Sequence, residues 1–143
     1  MFTSWRSAVS YAAIVTLVSL AVGEVGNFLW SPELPSRDWV MNVLLTPDRL
    51  AFPLVAIVVL VEARLLLPPL SRWSTAGIDT GLYALVLLLV TAAEAVTYDG
   101  SPADSAFLML IFALLTLQLP AVFALSAWRH GHLTPTGRAA LTS

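Results

Sequence analysis

The chain has 143 residues, 58% hydrophobic and only 11% charged, with a formal net charge of -2 and a mean hydropathy of +0.83. Soluble domains carry about a quarter charged residues, so this balance argues against a water-soluble fold and makes the lipid bilayer the expected partner. There is no basic run to grip a phosphate backbone, so nucleic acid is not an expected partner; the lack of cysteine and lysine removes thiolate, iron–sulfur and Schiff-base chemistry.

Four apolar stretches, near 8–30, 47–67, 76–98 and 102–128, are each long enough at about 1.5 Å per residue to cross a hydrocarbon core about 30 Å thick. None shows the alternation of a barrel strand, so helices are expected. The predicted fold is all-α: one domain, a polytopic bundle of four transmembrane helices, with no internal repeat.

The first stretch carries a small-residue face of Ala12, Thr16, Ser19, Gly23 and Gly26, suited to close helix packing. Near its end lies Glu24, with Asn27 one turn on. A rival reading cuts the chain before Glu24 as a signal peptide, but the run stays apolar through Phe28, Leu29 and Trp30, which suits an uncleaved span. In the connection 31–46, Ser36-Arg37-Asp38 could cap a short interfacial helix carrying Trp39, Met41 and Leu44; an irregular apolar loop is the alternative.

Thr46-Pro47-Asp48 starts the second stretch with a cap, a proline where no donor is lost, and an acid at the positive helix end; Pro68-Pro69 stops it. Within it, Arg64 is expected to snorkel to the interface, and Glu62 to find Gln118 of the fourth stretch as a hydrogen-bond partner. Asp79, placed in the first turn of the third stretch, is expected to be wet. Further along, Thr91 and Tyr98 flank Glu94 at helical spacing.

Ser101-Pro102-Ala103-Asp104 opens the fourth stretch. Pro120 lacks a donor and clashes with the Thr116 carbonyl, so a kink is expected there. The tail 129–143 is polar, and its His130-Gly131-His132 is too small a ligand set to predict a metal site; no cofactor or metal is expected.

With both termini cytoplasmic, five arginines fall inside (Arg6, Arg64, Arg72, Arg129 and Arg138) against Arg37 and Arg49 outside, which orients the chain in a plasma membrane. Glu24 and Glu94 then lie at similar depths below the outer end, and with Asn27, Thr91 and Tyr98 they form the predicted polar site. Three functions are compatible with these residues. The first is a packing, assembly or regulatory subunit, as a homo-oligomer or in a larger complex. Next is a proton- or cation-coupled transport component using Glu24 and Glu94. Last is a membrane enzyme acting on a lipid or isoprenoid through the same two carboxyls.

Overall fold

The computed structural model describes residues 4–30 and 47–133. The interfacial helix expected within 31–46, the Thr46 cap and most of the tail lie outside the described residues. The described chain forms five helices: α1 (Trp5–Trp30), α2 (Pro47–Leu66), α3 (Arg72–Thr97), α4 (Pro102–Leu115) and α5 (Gln118–Leu133), with no strand among the described residues. Short links join α2 to α3 and α3 to α4, so consecutive helices run antiparallel. α1 packs on α2 and α5, while α3 packs on α2, α4 and α5, leaving α1 and α3 on the diagonal.

Two of these helices, α1 and α3, are long and apolar enough to cross a membrane, and α4 with α5 passes the same test as a pair bent by 60°. α2 does not, because every 18-residue stretch of it holds at least three of Asp48, Arg49, Glu62 and Arg64. The architecture therefore matches the all-helical expectation, with two or three helices apolar enough to span.

α3 begins a full turn before the expected position 76. Ser71 caps it by accepting a hydrogen bond from the Ser74 amide at 3.3 Å, so a polar start extends the helix beyond its apolar run. Ser101 caps α4 in the same way from the Asp104 amide, at 3.4 Å, with the Asp104 carboxylate in the first turn.

The kink expected near Pro120 is a complete break. The Thr116 carbonyl has no amide donor four residues on, because that residue is proline. The Thr116 amide closes α4 on the Phe112 carbonyl at 2.9 Å, Leu117 turns to a φ of 61°, and the Ala121 amide restarts the ladder on the Leu117 carbonyl at 2.9 Å.

The core is narrow and built largely from small side chains: Ala8, Ala12 and Val15 of α1, Ala56 and Leu60 of α2, Tyr83 of α3 and Val122 of α5 are buried. Large apolar side chains on every helix remain exposed, among them Leu29, Leu54, Leu89, Phe107 and Trp128. Alanine at the crossings draws the helices close, and the apolar bulk points outward, the reverse of the distribution water favours.

Candidate functional sites

Two polar clusters lie at different depths. The first is near the end of the molecule marked by Trp5, Trp73 and Trp128, all exposed. Arg64 Nη2 of α2 donates to Asp79 Oδ1 of α3 at 2.8 Å, and the Tyr11 hydroxyl of α1 donates across the diagonal to Asp79 Oδ2. That hydroxyl also lies 3.5 Å from the Ser126 carbonyl of α5. Four helices thus meet at one carboxylate. Asp79 is 0% exposed, Tyr11 1% and Arg64 6%.

This corrects two expectations. Arg64 does not snorkel, and Asp79 is not a wet first-turn residue. Because α3 starts at Arg72, Asp79 sits six residues beyond Trp73, about 9 Å inward, and Tyr11 is six residues beyond Trp5, at the same depth. At that depth each charge is better solvated by the other than by water. The carboxylate thus bridges a guanidinium and a hydroxyl, an ionic lock that joins α1, α2 and α3. The sequence signal for it was the presence of opposite charges near the facing ends of two antiparallel apolar helices.

The second cluster lines a cavity of about 290 Å³ toward the opposite end. Glu24 and Asn27 reach it from α1, Thr91 and Glu94 from α3, and Gln118 from the start of α5, while Phe52, Leu87, Met109 and Phe112 supply apolar wall. Four of the five residues of the predicted polar site therefore meet around one space. The fifth, Tyr98, does not line it: it is 75% exposed and borders an adjoining depression with Ala51 and Thr97, which Glu94 also lines. Tyr98 is the C-cap of α3, with φ of -106° and ψ of 24°, and its amide donates to the Glu94 carbonyl at 3.1 Å.

Glu24 and Glu94 are both exposed, and neither has an ion-pair or hydrogen-bond partner among the described residues. No arginine among the described residues lines the cavity. No group of three or more His, Cys, Asp or Glu side chains comes together among the described residues. Gln118 is not the partner of Glu62, which is exposed on α2. Its Nε2 instead donates to the Tyr83 hydroxyl at 2.6 Å, and Tyr83 in turn meets the Phe52 ring edge to face at 5.2 Å. Gln118 lines the cavity beside Phe52, ten residues and about 15 Å of helix rise along α2 from Glu62.

The small-residue face of α1 presses on that break. Ser19 is buried, a Cβ on Gly23 would stand 2.8 Å from Gln118 Oε1, and one on Gly26 would stand 2.7 Å from the Thr116 carbonyl oxygen. Glycine is needed at Gly26 because the Thr116 backbone occupies the place of its side chain, while at Gly23 the neighbour is the Gln118 side chain. At the tryptophan-marked end, His130 Nε2 contacts the Leu70 carbonyl at 2.9 Å and Arg129 donates to Ser10 at 3.2 Å, so α5 is tied to the α2–α3 link and to α1.

Fold and sites define a helical protein with candidate membrane-spanning segments, an internal ionic lock and a polar cavity. Comparison with protein-family models, curated proteins and solved structures found no match.

Proposed function

We propose that the protein is a four-span membrane protein, with both termini cytoplasmic, that serves as a packing or assembly subunit and associates with itself or with other membrane helices. α2 completes the count: its 20 residues reach about 30 Å, and its buried charge, Arg64, is offset by Asp79, while Glu62 is exposed. The arginine bias supports the orientation, and Trp5, Trp73 and Trp128 mark one interface.

The observation that carries the assembly reading is on α3. Gly77 and Gly81 lie one turn apart on an exposed face, and a Cβ at either would meet nothing within 4 Å among the described residues. Each glycine weakens a helix interior by about 1 kcal/mol relative to alanine, and unlike Gly23 and Gly26 these two recover nothing inside the described bundle. Close approach of a second helix would recover it, since packing between spans rests on contact rather than on hydrophobic force.

Cross-linking and particle size in native-membrane nanodiscs test this. Gly77→Leu with Gly81→Leu should leave the monomer folded and abolish its association. A wild-type protein that is monomeric in native membranes, or an association indifferent to both changes, would refute the reading.

Transport is supported to a lesser degree, by the carboxylate-lined cavity. The enzyme reading requires a carboxyl withdrawn from solvent, and Glu24 and Glu94 are both exposed among the described residues.

A further inference from the structure

We propose that the ionic lock holds a bound water molecule, seated on Arg64, Thr75 and Ser126. Three buried polar atoms of the lock and its walls form no hydrogen bond among the described residues: Arg64 Nε of α2, Thr75 Oγ1 of α3 and Ser126 Oγ of α5. Position ties each of them to the same carboxylate. Arg64 reaches Asp79 through Nη2, and Thr75 lies one turn before Asp79 on the same face of α3. The Ser126 carbonyl stands 3.5 Å from the Tyr11 hydroxyl, which donates to Asp79. Thr75 is 1% exposed and Ser126 0%, so neither hydroxyl is served by outside solvent.

The two hydroxyls have a local remedy, and the arginine has none. Thr80, Thr97 and Thr116 each donate to the carbonyl four residues back, at 2.8, 2.9 and 2.9 Å, and a rotation would let Thr75 and Ser126 do the same. Arg64 Nε cannot turn by itself. Its N–H is fixed in the guanidinium plane, and Asp79 sets the direction of that plane, so an acceptor has to be brought to it. A buried donor on a charged group costs more to leave unmet than a neutral one, which makes Nε the strongest claim on an occupant.

The chemistry of the place selects that occupant. A metal cation is repelled by the guanidinium, and an anion by Asp79, whose charge already balances Arg64. What fits is neutral, small enough for an enclosed position, able to accept from Nε and able to donate to hydroxyl oxygens. Water meets all of these conditions, and about three protein partners is the usual number for a buried one. Through Ser126 the water also binds α5 into the lock more firmly than the 3.5 Å contact to Tyr11 does.

Radiolytic labelling tests the proposal on the full chain in maltoside micelles. A brief X-ray pulse converts water in place to hydroxyl radicals, which oxidise the side chains they touch, and mass spectrometry reads the product. Tyr11 is the built-in reporter, being 1% exposed and hydrogen-bonded within the lock. Its rate is expressed relative to its own rate in the chain unfolded by sodium dodecyl sulfate. Clear labelling of Tyr11 is expected.

Thr75→Val with Ser126→Ala should lower the Tyr11 rate at least about tenfold, because the two lost hydrogen bonds are together worth at least that factor in binding. Tyr98, 75% exposed, should be unchanged. Circular dichroism confirms that the variant is folded; if it is not, Thr75→Val alone, which keeps the shape of the side chain, is read in its place. An unlabelled Tyr11 in the wild type overturns the proposal. So does labelling that the hydroxyl deletions leave unaltered, since transient opening to bulk solvent would produce it without a bound water. Neither result touches the assembly reading, which rests on Gly77 and Gly81.

Discussion

Asp79→Leu is the sharpest test of the ionic lock. The substitution deletes the one acceptor shared by Arg64 and Tyr11 and leaves a guanidinium 6% exposed whose Nε already lacks a partner. Stranding one member of a buried pair destabilises by about 3–5 kcal/mol. Loss of the Tyr11 hydrogen bond adds about 1 kcal/mol, kept small because an unfolded chain still in the membrane also finds partners. The expected total is about 4–6 kcal/mol, the lower part applying if Arg64 swings toward the tryptophan-marked end.

Removing all three polar groups together, as Tyr11→Phe, Arg64→Met and Asp79→Leu, leaves no charge to strand. That variant should fall within about 1 kcal/mol of the wild type or exceed it, because apolar replacement of a buried pair is often neutral or stabilising. Unfolding from maltoside micelles by titration with sodium dodecyl sulfate, followed by circular dichroism, gives both differences. An Asp79→Leu protein within about 1 kcal/mol of the wild type, or a triple variant as unstable as the single one, would refute the view that these groups exist to neutralise one another.

Two further outcomes follow from the geometry. Gly26→Ala should destabilise by about 1–3 kcal/mol, since the added methyl would meet backbone at 2.7 Å that no side-chain rotation can relieve, whereas Gly77→Ala should leave the monomer unchanged or up to about 1 kcal/mol more stable; the same denaturation assay reads both. Because the chain has no cysteine, Gly100→Cys can be labelled without background, and labelling only from the outside is expected; labelling only from the cytoplasmic side would invert the proposed orientation.

What a reading of residues can establish here is position along each helix. Helix rise is constant, so counting from Trp30 and from the end of α3 placed Glu24, Asn27, Thr91 and Glu94 at one level, and they do border one cavity. The missing donor of Pro120 likewise sufficed to locate an interruption, and Ser101 located the start of α4, whereas the Ser71 cap that starts α3 at Arg72 was not anticipated. Rotation about each axis is another matter. These helices are apolar almost all round, so no stripe of polar residues announces which side faces the neighbours.

The angle at which each helix presents its side chains was therefore decided by packing summed over the whole bundle. The alanines of α1 and α2 set how closely the helices approach, and Gly23 and Gly26 admit the turn at Thr116 and Leu117. That turn directs Gln118 to Tyr83 rather than Glu62, and the diagonal placement of α1 and α3 puts Tyr11 opposite Asp79. Such pairings join residues 35 and 68 positions apart, and they exist only when several helices take up their relative rotations together. Depth is a local property of a helical chain, whereas facing is a collective one.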